Sequence, residues 1–257
     1  MLRSLLYVPA HSERFLAKAH ERGADVVILD LEDAVPEADK GRARDHLAES
    51  ARSVRRNGAR VYVRINSGDR QRRDAEAASA AGADAVILAK AALADLDGFA
   101  LPLIAMLEDP GAILDARLFA RHPAVIGLVV GSEDLATALG ATPLPEVLRI
   151  PKLLVHYAAK AEGKLSFGLL RSVADYSDLA AIEAAAIEAR RHGFDGATCV
   201  HPAVVPVLNA AFAPSPDEIA WAERVLDAAK SGAGAFAVDG RMVDAPVIAR
   251  ARRILGH

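Results

Sequence analysis

The sequence contains a single cysteine, Cys199, and therefore has no pair with which to form an internal disulfide. This fits a reducing compartment, and because Cys199 lies within an apolar run, we interpret it as a small buried hydrophobic residue. There is also no run of about 20 apolar residues that would span a membrane. The N-terminus has neither the apolar core nor the small-residue cleavage site of a signal peptide. We therefore expect a cytoplasmic protein.

Neither sign of charge dominates, since the formal net charge is −3 and acidic and basic residues are interspersed. The overall charge therefore argues against a protein that binds nucleic acid or a membrane surface as a whole, and it favours small-molecule partners. The phosphate-binding pattern Gly-x-Gly-x-x-Gly of doubly wound sheets is absent as well.

Short apolar runs recur along the chain, and most end in charged residues. In Val26–Asp33, four apolar residues lead into a segment with three carboxylates. Such runs are typical of parallel strands buried on both faces. Similar runs carry Arg64 at the end of 60–65, and deliver Lys90 after 85–89, Glu108 after 103–107, and Glu133 and Asp134 after 125–130.

Helical patterns separate these runs, with starting signals such as Ser12, Asp69 and the pair Asp109-Pro110. Strand candidates at 4–8, 164–168 and 196–200 bring the number to eight. Other helical patterns cover 12–23, 36–56, 144–162 (interrupted or initiated at Pro151) and 178–191. This alternation predicts an α/β fold, a (β/α)₈ TIM barrel over residues 1–212.

Residues 213–257 are not needed to complete a barrel. They contain a helical pattern over 217–230, a glycine-punctuated hinge at 231–234 and a last helix after Pro246. We predict a C-terminal helical extension that acts as a lid or an oligomer arm.

In a TIM barrel the active site lies at the carboxyl ends of the strands, so the polar residues that end them should converge. Glu108 and Asp134 follow adjacent strands and are the best candidate ligands for Mg²⁺, which is commonly held by one or two carboxylates. Asp134 is alternatively a first-turn carboxylate that stabilises a helix N-terminus. For Glu108 that alternative is weaker, because Asp109 already supplies the cap.

Other residues at the strand ends suggest further roles. Glu32 and Asp33 would orient metal-bound waters, although Asp33 is equally suited to cap a helix. Arg64 is suited to bind the carboxylate of a 2-oxo acid, or to pair with Asp30 or Glu32, or both.

Two basic pairs have helical i, i+4 spacing, Arg14 with Lys18 and Lys40 with Arg44. They would bind phosphates or be ordinary solvated charges, and the residues alone favour the second interpretation.

Seven short motifs, in order, resemble the citrate lyase β-subunit-like group of the HpcH/HpaI aldolase superfamily, which includes malyl-CoA and citramalyl-CoA lyases. The motifs are Leu6–Pro9, Leu29–Asp33, Val63–Asn66, Gly131–Leu135, Gly193–Gly196, His201–Pro202 and Gly240–Asp244. The resemblance implies a Mg²⁺-dependent TIM barrel that makes or breaks a carbon–carbon bond between a 2-oxo acid and the α-carbon of an acyl-CoA-type thioester.

The resemblance also implies roles for particular residues. Glu108 and Asp134 would be the metal ligands, Arg64 would hold the oxo-acid carboxylate, and Tyr7, Arg14 and Lys18 would contact the CoA-bearing substrate. Asp244 would be a catalytic acid or base supplied by a neighbouring subunit, often in a trimer. From the residues alone, Asp244 is as well explained as the N-cap of the last helix, because Pro246 follows it.

The sequence departs from the group's pattern in two places. Asp109-Pro110 follows Glu108 where relatives usually have Thr-Ala, and Leu165–Arg171 lacks an acid that is expected there. The second departure concerns the substrate more than the reaction. Two alternatives to a CoA-dependent lyase stay open: an aldolase acting on a free 2-oxo acid, and a citrate lyase subunit whose thioester is carried by an acyl carrier protein.

Overall fold

Eight parallel strands form one sheet in the computed structural model, which describes residues 2–174, 176–230 and 235–256. Their order in the sheet is β7-β6-β5-β4-β3-β2-β1-β8. The strands are β1 (Ser4–Pro9), β2 (Val26–Asp30), β3 (Arg60–Ile65), β4 (Ala85–Leu88), β5 (Leu103–Leu107), β6 (Val125–Val130), β7 (Leu165–Phe167) and β8 (Ala197–Cys199).

The sheet closes into a barrel between β7 and β8. A parallel bridge joins Phe167 to Gly196, and the Gly168 amide donates to the Gly196 carbonyl at 2.9 Å. Gly196 is required by its contact with the residues that precede β1, since a Cβ there would lie 1.9 Å from the carbonyl oxygen of Leu2. The predicted TIM barrel is confirmed.

Helices connect most of the strands. They are α1 (Glu13–Ala19), α2 (Lys40–Asp45), α3 (Leu47–Val54), α4 (Gln71–Ala80), α5 (Pro110–Leu114), α6 (Ala116–Arg121), α7 (Ser132–Ala138), α8 (Pro145–Ala161), α9 (Leu179–His192) and α10 (Val204–Ala211). Between β4 and β5 the described connection has only a 3₁₀ turn, Leu93–Asp95.

The structure corrects several predicted helix boundaries. The helix predicted over 36–56 is two helices that meet at His46, and the helical pattern that starts at Asp109-Pro110 breaks at Asp115. Asp69 is not a cap, because α4 starts at Gln71 after a 3₁₀ turn, and α8 runs through Pro151 without interruption. Asp109 does cap α5, accepting a hydrogen bond from the Ala112 amide at 3.0 Å. Local breaks were missed because the apolar stripe continues across them.

Two layers of buried side chains surround the sheet. Inside the barrel, residues from successive strands, including Ile28, Tyr62 and Met106, pack together. Outside, the other faces of the strands pack against the helices and include Cys199, which is 1% exposed. Burial raises the pKa of the Cys199 thiol to about 12, so it behaves as the inert buried residue that the sequence predicts.

The chain divides into two compact units, Met1–Phe212 and Ala213–His257. The second contains α11 (Pro216–Ala229), a hairpin of β9 (Phe236–Val238) and β10 (Arg241–Val243), and α12 (Ala245–Leu255). The hairpin was not predicted, although Asp239-Gly240, both with positive φ, is a known signal for a tight hairpin turn. The predicted hinge at 231–234 lies outside the described residues.

Across the described part of the chain, no helix has the length and apolar character needed to cross a bilayer.

Candidate active site

The strand register places Asp30 of β2 beside Arg64 of β3. The Arg64 guanidinium donates to both carboxylate oxygens of Asp30, at 2.7 and 2.6 Å, and contacts Glu32 at 3.1 Å. It also lies over the ring of Tyr7, 4.9 Å from its centroid. Burial alone would lower the pKa of Arg64, but the hydrogen bonds and charges of these partners raise it. The ion pairing that the sequence left open is therefore present.

Lys90 brings a second cation to the same side. Its ammonium lies 2.6 Å from a carboxylate oxygen of Glu32 and 3.4 Å from both Asp33 and Asp134. Its backbone has φ of +50°, which a residue with a side chain rarely adopts. This conformation accompanies a 2.5 Å hydrogen bond from the Lys90 amide to Glu108. Lys90 thus links four carboxylates through its side chain and its backbone.

Glu108 follows β5 and is 8% exposed. Burial raises its pKa to about 7, and although the Lys90 amide opposes this, the charges of Glu32 and Asp134 add to it. Gly131, after β6, leaves room for the carboxylate, since a Cβ at Gly131 would lie 2.1 Å from a Glu108 carboxylate oxygen and 2.5 Å from its Cγ. The glycine of the Gly131–Leu135 motif is therefore needed for the present position of Glu108.

The carboxylates suit a hard divalent cation. Among the described residues no group of three or more Asp, Glu, His or Cys side chains is arranged to hold a metal. Mg²⁺ is often held by one or two carboxylates, with water and substrate oxygens completing its shell. The electrostatic effect of Glu32 and Asp134 on Glu108 indicates an excess of negative charge there, which a cation would neutralise. The donor set therefore fits Mg²⁺.

A cavity of about 290 Å³ lies at the carboxyl ends of the strands, and most of these side chains line it, although Glu32 and Lys90 do not. Its polar lining residues include Tyr7, Asp30, Asp33, Arg64, Glu108, Glu133, Asp134, Lys152, Ser172 and Thr198. A cavity of this size accommodates a small organic acid.

Three further candidate residues belong to helix α1 and to the C-terminal unit. Arg14 and Lys18 are exposed on α1 and do not line this cavity. Asp244 belongs to the C-terminal unit, where it is the N-cap of α12 and accepts a long hydrogen bond from the Val247 amide at 3.4 Å. The capping role considered from the sequence is thus present in the structure.

Lys40 and Arg44 have structural partners. The Lys40 ammonium donates to the carbonyls of Leu31 and Glu32 and to the side chain of Asn66, at 2.7 to 3.0 Å. Arg44 donates at 2.6 Å to Asp74, which is fully buried. Neither is a free phosphate-binding group, so the phosphate interpretation of this pair is not supported.

One charged residue of the cavity was missed from the sequence, Lys152 of α8, which is 4% exposed. The spacing of Lys152 from apolar residues in the sequence could have indicated that it is buried. It lies four residues after Leu148 and three before Val155, both buried, so a lysine occupies the apolar stripe of its helix.

The barrel and the carboxylates at the ends of its strands together define a class of protein, the TIM-barrel enzymes with a cation-compatible site at the strand ends. Comparisons with known proteins identify the family. The model of the HpcH/HpaI aldolase/citrate lyase family matches residues 3–95. The chain is 37% identical to the (3S)-malyl-CoA thioesterase of Cereibacter sphaeroides (strain ATCC 17029), an alignment that covers 98% of this chain and 93% of that protein.

A citrate lyase subunit beta-like protein of Mycobacterium tuberculosis (strain H37Rv) is also 37% identical, over 97% of this chain and 93% of that protein. The crystal structure of CitE from Mycobacterium tuberculosis in complex with magnesium, acetoacetate and coenzyme A matches with a TM-score of 0.85 and 35% identity, covering 99% of this chain and 97% of that one. The chain belongs to the HpcH/HpaI aldolase/citrate lyase family. The family resemblance drawn from the motifs is confirmed.

Proposed function

We propose that this protein is a Mg²⁺-dependent carbon–carbon lyase that cleaves, or in reverse forms, a 3-hydroxyacyl-CoA-type thioester, giving a 2-oxo acid and an acyl-CoA. The observation that carries the proposal is the cavity at the strand ends, in which Glu108, Asp134 and Arg64 all take part. Magnesium and coenzyme A in the related CitE structure support the choice of cofactor and substrate class.

Glu108 and Asp134 would hold the metal, with Glu32 and Asp33 orienting its waters. When bound, Mg²⁺ would polarise the substrate oxygen and neutralise the charge that develops on it. The metal would also keep Glu108 ionised, although burial favours its neutral form.

The remaining steps belong to the protein's own residues. Arg64 still has N–H groups beyond those it gives to Asp30 and Glu32, and it would use them to bind the oxo-acid carboxylate. Asp244 would take the proton from the substrate's 3-hydroxyl group. The bond between C2 and C3 then breaks, C3 becomes the carbonyl of the oxo acid, and the electron pair forms the thioester enolate. Protonation of the enolate at carbon yields the acyl-CoA.

Asp244 would reach the site from the C-terminal unit of a neighbouring subunit, so this unit would serve as a lid or arm in a homo-oligomer, a trimer by family resemblance. Tyr7 lines the cavity, and we assign it to the acyl end of the substrate. Arg14 and Lys18, one turn apart and exposed on α1, would contact the CoA portion.

Hydrolysis of the thioester is a second candidate reaction. The similarity to a (3S)-malyl-CoA thioesterase favours it, since 37% identity extends over 98% of this chain. A CoA-independent aldolase and a subunit that depends on an acyl carrier protein are the remaining alternatives.

The test is incubation of the purified protein with Mg²⁺ and malyl-, citramalyl- or citryl-CoA, with separate assays for 2-oxo acid, acyl-CoA and free CoA. A lyase releases oxo acid and acyl-CoA in equal amounts. A thioesterase releases free CoA and the hydroxy acid instead. Glu108→Ala and EDTA should each abolish turnover, with a loss of at least ~10²-fold expected when a transition-state interaction is removed.

Gly131→Ala tests the role of Glu108 independently, because the added methyl group would occupy the space of the Glu108 side chain. We expect Mg²⁺ affinity and turnover to fall together while the fold persists. Gly41→Ala on α2 is the matched control, because a Cβ at that position meets no atom within 4 Å. Metal-independent turnover, or full activity in Gly131→Ala, would contradict the assignment of Glu108. If no thioester in the panel reacts with folded, Mg²⁺-bound protein, the free 2-oxo acid or carrier-bound alternatives take precedence.

A further inference from the structure

Lys152 differs from Arg64 and Lys90 in having no carboxylate partner among the residues that the structure describes. Its ammonium donates one hydrogen bond, to the Arg171 carbonyl at 2.8 Å, and forms no other hydrogen bond or ion pair with the described residues. An ammonium group has three N–H donors, so two are left without an acceptor among the described residues. Arg64 and Lys90, by contrast, each contact at least two carboxylates.

Because Lys152 is buried, leaving these N–H donors without acceptors is energetically unfavourable. The residue is 4% exposed, and its side chain lines the cavity together with Gly168, Ser172 and Val173. Burial lowers the pKa of Lys152 to about 7, and the charge of Glu133 opposes this only in part. Glu133 does not pair with the lysine but accepts a hydrogen bond from the Ser172 hydroxyl. A buried cation without a counterion is unfavourable, and a bound anion would relieve that cost.

We propose that Lys152 binds a second carboxylate of the substrate, carried by the 2-oxo acid in addition to the one that Arg64 holds. The site would then select 2-oxo dicarboxylates over 2-oxo monocarboxylates. This inference rests on the proposed function for the identity of the ligand as an oxo acid. It agrees with the segment at 165–171, which contains no acidic residue. Gly168 lines the cavity here without a side chain, and β7 contributes no carboxylate. The anion that pairs with Lys152 can therefore come from the substrate.

The test compares two ligands that differ by one carboxylate, oxaloacetate and pyruvate. Binding of each is measured by calorimetry in the presence of Mg²⁺, for the wild type, Lys152→Met and Lys152→Arg. We expect the wild type to prefer oxaloacetate by about tenfold or more, which is the scale of one charge-assisted hydrogen bond. Lys152→Met should reduce this preference to about twofold or less, mainly by weakening oxaloacetate binding. Lys152→Arg should retain part of it.

Lys164→Met is the matched control, because Lys164 directly precedes β7 at the opposite end of the strand. It should keep the wild-type ratio. If Lys152 serves only to hold the segment at Arg171, its loss will weaken both ligands equally, and an unchanged ratio overturns the proposal. Reduction with borohydride in the presence of pyruvate is a further check: a mass increase on Lys152 would show an imine-forming nucleophile and also overturn it.

These binding measurements require no turnover. Failure of the lyase assay together with a Lys152-dependent preference would refute the reaction but not this inference. A working lyase with no such preference would refute the inference alone.

Discussion

The two sides of the cavity carry positive charge in different ways. On the side of β2, β3 and β4, Arg64 and Lys90 are surrounded by carboxylates at 2.6 to 3.4 Å. On the side of α8, Lys152 is more deeply buried, yet its only partner in the described part of the chain is a backbone carbonyl, that of Arg171. Charges that are paired before a ligand arrives fix the geometry of their neighbours, because removing either partner leaves the other uncompensated. An unpaired buried charge destabilises the fold, and a ligand of opposite charge can relieve that effect.

The largest effect should come from breaking the paired side with Asp30→Asn. Asp30 is fully buried and holds Arg64 through two hydrogen bonds, so its replacement leaves a nearly buried guanidinium with Glu32 alone. We expect a loss of about 3 kcal/mol in the free energy of unfolding, at the low end for a broken buried pair because Glu32 remains. Urea denaturation at pH 7 measures it.

Asp25→Asn is the matched control. Asp25 precedes β2 and accepts two hydrogen bonds from the Arg3 guanidinium, at 2.9 and 2.8 Å, and a third from the Arg3 amide at 2.8 Å, but this pair is partly exposed. Its loss should cost about 1 kcal/mol and leave turnover unchanged. Equal destabilisation by the two substitutions would mean that burial of the Arg64 pair does not matter.

A smaller effect of opposite sign is expected on the other side of the cavity. In the folded protein burial lowers the pKa of Lys152 to about 7, from a reference value of 10.5. Below pH 7 both the folded and the unfolded states carry the proton, and the folded state bears the full cost of a buried charge. Between pH 7 and 10.5 the unfolded state binds more protons, so the contribution of Lys152 to stability becomes more favourable as pH rises.

Lys152→Met removes this contribution. It should stabilise the protein at pH 6 by about 1 to 2 kcal/mol, after allowing for the lost hydrogen bond to the Arg171 carbonyl. The advantage should shrink steadily between pH 7 and 10, and the difference between the two unfolding curves measures it. A constant difference across this range would show that Lys152 does not titrate there.

Features that are set by residues close together in the sequence could be predicted, whereas contacts between distant segments could not. The strands were found because each apolar run is set by its own residues, and 103–107 and 125–130 agree with β5 and β6 at both ends. The convergence of Arg64, Glu108 and Asp134 on one cavity followed from barrel geometry alone, since strands of a barrel end at one rim.

The pairing of charges within the cavity could not be predicted in the same way. The Asp30 to Arg64 contact depends on the register of β2 against β3, and the position of the Lys90 side chain depends on a left-handed backbone conformation. Lys152 was missed because a single lysine in a helix looks like an ordinary solvated charge until the helix is packed. Breaks such as the one at His46 have no signal in the apolar stripe, which runs from Ala43 through Leu47 to Ala51.

The smallest effect on stability should come from Lys90→Met, which removes a cation from the paired side. The Lys90 side chain is about half exposed, at 47%, and pairs of this exposure typically contribute less than about 1 kcal/mol. Its effect on the proposed metal should be larger. The ammonium now lies among Glu32, Asp33 and Asp134, so its loss leaves more negative charge for Mg²⁺ to neutralise. We expect Mg²⁺ to bind several-fold more tightly by calorimetry, with Lys90→Arg close to the wild type. Weaker Mg²⁺ binding in Lys90→Met would instead mean that the lysine holds these carboxylates in the positions that the metal requires, so that geometry outweighs charge on this side of the cavity.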